Sequence, residues 1–265
     1  NPESISPDVE KMFAPARCIR CGSCVEVCPE KAITLTAEGI VTDPSLCKVH
    51  GKCAEVCPAR AIEMSGRVMS VDEIMEAIEK ERVFFDHSNG GVTFSGGEPL
   101  VHLPILKQLL DECGRRHIHR AVDTAGHVST AALLEVAART DLFLWDLKMM
   151  DSALHRKWTG AANDKILQNL AVLAETGAEI IIRMPVMGGI NDTEENIELT
   201  AQFVAGLAGK KKDVNILPYH RIAQNKYMKL GRSESFGMFE EPGKETLERV
   251  IEQFAKHGIK ATVGG

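Results

Sequence analysis

Gly90-Gly91-Val92-Thr93-Phe94-Ser95-Gly96-Gly97-Glu98-Pro99-Leu100 is the stretch whose reading decides the fold. It reads as a short buried strand, Val92 to Phe94, running into a tight glycine turn that delivers one carboxylate. Gly96 and Gly97 carry no Cβ, so a ligand can approach their main-chain N–H and C=O groups closely. Glu98 then stands at the carboxyl end of a strand, where parallel α/β proteins place their chemistry. Pro99 rigidifies the exit, and Pro104 suits the first turn of the helix that follows. Gly-Gly pairs also occur in ordinary strand-to-helix loops, so the surrounding chain has to decide.

Downstream, the apolar spacing predicts helix Pro104–Arg116, strand Ala121-Val122, helix Thr130–Ala138 and strand Leu142–Trp145. A short His155–Gly160 segment and helix Asp164–Glu175 come next, then strand Glu179–Met184 with Arg183 near its end. Helix Thr193–Leu207, strand Val214–Leu217, helix Lys244–His257 and strand Lys260–Val263 close the chain, and helix Val71–Glu81 precedes the opening stretch. Strands alternating with helices at this spacing imply a parallel sheet, either barrel or doubly wound.

The informative residues are the polar ones at the strand ends. Glu98, Asp123, Asp146 with Lys148, Arg183 and His220 stand at or near the carboxyl ends of successive predicted strands. Any one of them could be a salt bridge or a helix cap, but together they favour a ligand site. Glu98 suits an ammonium group, whereas Lys148 and Arg183 suit a carboxylate, which Arg can grip through two bonds. Asp123 and Asp146 suit a ribose hydroxyl or a cation, and His220, beside Tyr219, a flat base. An amino acid joined to a nucleoside fits that set.

Upstream lies a cysteine segment, with seven of the eight cysteines between Cys18 and Cys57 and the eighth at Cys113. Cys18-x2-Cys21-x2-Cys24-x3-Cys28-Pro29 has the spacing of a bacterial ferredoxin half. The second half reads Cys47-x5-Cys53-x3-Cys57-Pro58, and the tails Pro29–Ile33 and Pro58–Ile62 match, which marks a duplication of about thirty residues. Crossed ligation gives one cluster Cys18, Cys21, Cys24 and Cys57, and the other Cys28, Cys47 and Cys53. The second set has His50 where the first has Cys21. Either His50 ligates through a ring nitrogen, or that cluster is held by three cysteines and is labile. Zinc is the competing reading of clustered cysteines, and the duplicated spacing favours iron–sulfur. Cys113, mid-helix among apolar residues, reads as core packing.

Composition bounds the rest. The 265 residues suffice for one large domain, or a medium one plus a small one. A net charge of −6 offers no basic field for nucleic acid or an anionic membrane, and no apolar run reaches membrane-spanning length. With no signal peptide at the front, and with ligating rather than paired cysteines, a cytoplasmic location is the expectation.

Ser95-Gly-Gly-Glu-Pro99, Asp123-Thr-Ala-Gly126, Asp146-Leu-Lys148, Ile182-Arg-Met-Pro185 and Leu217-Pro-Tyr-His220 together resemble the glycyl-radical-enzyme activating enzymes. These are radical S-adenosylmethionine (SAM) proteins of the pyruvate formate-lyase activating type, and the cysteine segment resembles the two-cluster ferredoxin insert of some members. The resemblance runs in order along nearly the whole chain. It implies an α/β fold, a partial (β/α)6 TIM-like barrel, with residues 14–66 as a ferredoxin-like insert and 67–265 as the barrel. By the same resemblance Ser95, Gly96, Gly97 and Glu98 form the loop that binds the methionine amino group, while Lys148 and Arg183 bind its carboxylate. Asp123, Thr124 and Asp146 would line a monovalent cation site, and His220 would contact the nucleoside. The implied reaction cleaves SAM reductively to a 5′-deoxyadenosyl radical, which takes hydrogen from a backbone glycine of a partner glycyl radical enzyme. The two auxiliary 4Fe-4S clusters would relay electrons from a flavodoxin or ferredoxin reductant, and their oxygen sensitivity implies an anaerobic setting.

One departure concerns the front of the chain. The family's catalytic cluster is held by a Cys-x3-Cys-x2-Cys motif that ends just before an Asn-Pro-Glu-Ser tetrapeptide, and Asn1-Pro2-Glu3-Ser4 opens this sequence. The first barrel strand and the catalytic cysteines are therefore expected upstream of Asn1, and residues 1–13 are the segment that follows them. No catalytic residue is assigned within the chain. The rival readings are a radical SAM enzyme acting on a different substrate, and a non-catalytic iron–sulfur electron-transfer or binding module.

Overall fold

A computed structural model of the protein describes residues 8–210, 212–221, 223–232 and 239–264. The Asn1–Ser4 tetrapeptide lies outside the described residues. The chain divides into two compact units, Asn1–Val68 with Arg221–Met238, and Met69–His220 with Phe239–Gly265.

The first unit is a pseudo-duplicate. Strand β1 (Lys11–Phe13) leads to helix α1 (Ser23–Glu26) and the hairpin β2 (Ile33–Thr36) and β3 (Gly39–Thr42). Helix α2 (Lys52–Glu55) and strand β4 (Ile62–Met64) follow, and β4 pairs antiparallel with β1. Ile33, Ile40, Ile62 and Cys24 make a small core under these short elements. A core this small would be marginal by burial alone, which is the usual reason for a bound metal group in a module of this size.

The second unit opens with α3 (Val71–Lys80) and α4 (Arg82–Ser88). Ser70 and Glu73 form a reciprocal capping box at the start of α3, which satisfies donors the first turn would otherwise leave open. Strand β5 (Gly91–Phe94), helix α5 (Leu103–Arg115), strand β6 (His119–Thr124), helix α6 (Thr130–Ala137) and strand β7 (Leu142–Asp146) then alternate. They continue through α7 (Ser152–Thr159), α8 (Asp164–Glu175), β8 (Ile180–Val186), α9 (Glu194–Ala205) and β9 (Asp213–Pro218). After α10 (Ala223–Lys229), which belongs to the first unit, α11 (Lys244–Lys256) and β10 (Ala261–Val263) complete the second.

All five strand pairings in the large sheet are parallel, and its order β5-β6-β7-β8-β9-β10 follows the chain. With right-handed crossovers, a sequential order keeps every helix on one face, so the sheet is wound singly, as in a barrel. That separates the two sequence expectations, barrel and doubly wound, in favour of the partial barrel. Alternation sorts the side chains. Phe143, Trp145, Ile180, Ile182, Met184, Val214 and Ile216 turn to the helix-covered core with at most 4% exposure. Asp123, Leu144, Asp146, Ile181 and Arg183 occupy the opposite face, because neighbours in register share a face and Asp146 stands opposite Arg183.

Several elements exceed their expected bounds, β6 most of all, which runs from His119 to Thr124 rather than over Ala121 and Val122 alone. Strand β8 continues past Met184 to Val186 because Pro185 and Val186 still pair with Leu217 and Pro218. Helix α7 begins at Ser152, where the Asp151 carboxylate caps it by accepting from Leu154 N–H at 2.6 Å. Among the described residues, no helix is long and apolar enough to cross a membrane.

Candidate functional site

The carboxyl edge of the large sheet gathers most of the predicted site residues into two connected groups. In the first, Glu98 caps the short 3-10 turn Pro99–His102 by accepting from Leu100 N–H at 3.1 Å. The same carboxylate accepts from Thr124 Oγ1 at 2.7 Å and from Ala125 N–H at 3.0 Å, which ties the loop after β5 to the turn after β6. In the second, Asp123 Oδ2 accepts from Ser95 Oγ at 3.0 Å and from Arg183 Nη1 at 2.5 Å. Lys148 Nζ lies 2.9 Å from Asp146 Oδ2, and Asp146 stands opposite Arg183 in the ladder. Gly96, at φ 133°, has open space where a Cβ would stand, so its backbone faces an unobstructed approach.

His220 is exposed two residues beyond β9 and belongs to neither group. Its neighbour Tyr219 meets Phe239 edge-on at 5.7 Å, and Phe239 meets Trp158 at 5.9 Å, so an aromatic triad fixes the end of β9.

Sequence reading missed the layer that holds these loops. Four buried asparagines spend their side-chain amides on main-chain carbonyls of the site loops. Asn169 donates to Gly126 and Val128, and Asn163 to Met149 and Met150. Asn191 bridges Lys148 and Pro185, while Asn196 donates to Asn191 and accepts from Met150 N–H. An irregular segment buried this deeply needs such partners for its polar backbone. Asn163 and Asn191 read as turn formers and Asn169 and Asn196 as polar positions within helices, so only their burial reveals the role.

In the first unit, two cavities are lined by cysteines. Cys18, Cys21, Cys24 and Cys57 line one, and Cys28, Cys47 and Cys53 with His50 line the other. The side chains ring a void, and no three His, Cys, Asp or Glu among the described residues converge on a point as a single metal ion requires. Ala32 N–H donates to Cys28 Sγ at 3.4 Å and Ala61 N–H to Cys57 Sγ at 3.2 Å, bonds that would stabilise negative charge on these sulfurs. Burial pushes the Cys24 and Cys53 thiols up, and the Ser23 hydroxyl draws Cys21 down. The donor set fits iron–sulfur clusters.

Residues 55–204 match the profile of the radical SAM superfamily, and residues 17–67 match that of a 4Fe-4S dicluster domain. A trans-4-hydroxy-L-proline dehydratase activating enzyme from Clostridioides difficile is 35% identical over 266 residues, spanning 100% of this chain and 88% of that one. A (2S)-3-sulfopropanediol sulfolyase activating enzyme from Bilophila wadsworthia is 40% identical over 237 residues, spanning 88% and 78%. Among solved structures, a domain of pyruvate-formate lyase-activating enzyme from Bacteroides vulgatus is 38% identical, with a TM-score of 0.58. It covers 66% of this chain and 99% of its own.

Proposed function

Because the chain belongs to the glycyl-radical-enzyme activating enzymes of the radical SAM superfamily, we propose that the carboxyl edge of its large sheet is the SAM site. What carries the reading is the meeting there of an anionic loop, Ser95 to Glu98, with two cations, Lys148 and Arg183, on one face. Glu98 takes the methionine ammonium, with Gly96 and Gly97 allowing close approach. Lys148 and Arg183 take the carboxylate. As they turn toward it, Asp146 and Asp123 are left with Thr124 to hold a monovalent cation beside the cosubstrate. His220 contacts the nucleoside.

The family's reaction is reductive cleavage of SAM to a 5′-deoxyadenosyl radical, which abstracts hydrogen from a glycine of a partner glycyl radical enzyme. This chain's residues bind and orient the cosubstrate for it. Iron–sulfur clusters supply the electron-transfer chemistry. We place one with Cys18, Cys21, Cys24 and Cys57, and a second with Cys28, Cys47, Cys53 and His50, in a domain spanning 14–66, and assign 67–265 to the barrel. Flavodoxin or ferredoxin would be the electron donor, in the cytoplasm.

The test incubates the full-length protein, reduced and anaerobic, with SAM and a glycyl radical lyase encoded beside it. Production of 5′-deoxyadenosine and a glycyl-radical doublet in the electron paramagnetic resonance (EPR) spectrum is expected. SAM cleavage with no radical on the lyase would overturn the partner, and undiminished SAM binding by Glu98→Gln would overturn the site.

A further inference from the structure

Position 50 is built as a ligand position. Arg20 and Val49, which precede Cys21 and His50, have φ of 58° and 54°, and the following Gly22 and Gly51 have 82° and 80°. Those glycines cap α1 and α2 with the same left-handed geometry, so the backbone that presents Cys21 to one cavity presents His50 to the other. Residues other than glycine rarely adopt such φ values, and their repetition in both halves marks a shared geometric demand.

The halves differ at a second place that faces these positions. Glu30, two residues after Cys28, lines the His50 cavity and sets Oε1 3.7 Å from His50 Nε2. Its counterpart two residues after Cys57 is Ala59, which lines the cavity that holds Cys21. A carboxylate next to a thiolate ligand would add like charge, whereas next to an imidazole N–H it finds a donor. The carboxylate thus occurs where the thiolate has been exchanged for an imidazole, and alanine where it has not.

We propose that Glu30 is a positioning residue for His50: from its place 3.7 Å away it draws in to accept from Nε2–H when Nδ1 ligates the second cluster. This rests on the two-cluster reading given above. Histidine ligands characteristically donate their other ring N–H to a carboxylate or carbonyl, which fixes the tautomer and the ring orientation. Three thiolates and one imidazole leave that cluster less negative than its all-cysteine twin, so it is reduced at the higher potential. Lys11, Lys48 and Lys52 also line its cavity, against Glu30 there and Arg20 in the other, so the cationic excess is on the His50 side and shifts that cluster the same way.

The experiment is pulsed EPR on the holoprotein labelled with 15N-histidine and reduced stepwise, with total iron measured on each sample. One reduced cluster should carry a histidine nitrogen coupling. His50→Cys should abolish the coupling, keep the iron and lower that cluster's midpoint potential. Glu30→Ala should weaken the coupling and shift the same midpoint, Glu30→Gln should restore both in part, and neither should move the other cluster. A wild-type spectrum without the coupling, or Glu30→Ala matching wild type in coupling and midpoint, would overturn the proposal. The two-cluster reading is tested separately by Cys53→Ala: iron content equal to wild type would reject that reading and leave the Glu30–His50 spectra to be judged alone.

Discussion

Arg183 Nη1 lies 2.5 Å from Asp123 Oδ2, so the guanidinium assigned to a cosubstrate carboxylate is already held by a carboxylate of the protein. Both side chains are about a quarter exposed or less, so the exchange takes place where charge is only partly screened. Hydrogen bonds to charged groups contribute about 1.5–3 kcal/mol. Arg183→Ala should therefore weaken SAM binding by roughly ten- to a hundredfold. Arg183→Lys should recover only part of that, since an ammonium cannot form the two-pronged contact. Equilibrium binding of SAM measures both, and a loss under twofold for Arg183→Ala would remove the clamp.

Asn191 is buried, and its amide joins Lys148 O at 2.8 Å to Pro185 O at 2.6 Å. Asn191→Ala leaves two carbonyls without this donor and should cost about 1–3 kcal/mol. Because Lys148 is assigned to the cosubstrate carboxylate, SAM affinity should fall along with the denaturation midpoint. A variant that loses stability but binds SAM as well as wild type would confine Asn191 to the fold.

The large sheet was legible because polar residues interrupt its apolar runs at one consistent place, just past Phe94, Val122, Trp145 and Ile182. The short strands of the cysteine unit were not, since three or four residues such as Lys11–Phe13 cannot display a period. Helix α4 was missed because Val83 and Phe84 are exposed on it, so its apolar pattern marks no buried face. Spacing alone suggests the cysteine partition we propose, whereas the Glu30–His50 relationship appears only when the two halves are compared as structures. The site's charged residues were likewise visible, but their pairing was not: Arg183 with Asp123 joins positions sixty apart in the chain.

Cys113 is fully buried beside Met75, and burial pushes its thiol up to about 11. The thiolate is the reactive form, so at neutral pH Cys113 should resist iodoacetamide in the folded protein and react on denaturation. Intact-mass analysis of labelled protein checks this. Rapid native labelling at Cys113 would show that α3 and α5 separate more readily than their packing implies.

Arg120 Nε and Nη2 donate to Asp141 Oδ2 and Oδ1 at 2.9 and 2.8 Å, and this pairing holds the Asp141 carboxyl below its ordinary range. A lowered folded-state value means that the unfolded chain binds the proton first as pH falls. The stabilisation is therefore complete above about pH 4 and is lost as pH falls through the lower folded-state value. Asp141→Asn should be less stable than wild type at pH 7, and the gap should narrow toward pH 2. A gap that is constant with pH, in urea titrations at several pH values, would reject the pairing as an acid-sensitive contact.

Gly126 ends the Asp123–Gly126 turn at φ 69°, and a Cβ there would stand 2.1 Å from the ring of Trp145. Trp145 is fully buried, so the ring has no free space to yield, and the Gly126 carbonyl is held by Asn169 at 2.8 Å. Gly126→Ala must then displace either the ring or the turn. Overpacking of this kind typically costs about 1–3 kcal/mol, added to about 1–2 kcal/mol for a left-handed residue with a Cβ. Gly177 supplies the control: its φ is 78° but a Cβ there meets nothing within 4 Å, so Gly177→Ala incurs the backbone term alone. If the turn moves, Ala125 N–H leaves Glu98 and SAM affinity falls. If the ring moves, tryptophan emission changes, read in a Trp158→Phe background that removes the other tryptophan of these 265 residues. Equal destabilisation by the two alanines, with emission and binding unchanged, would show that the close approach of Gly126 to Trp145 does not constrain the site.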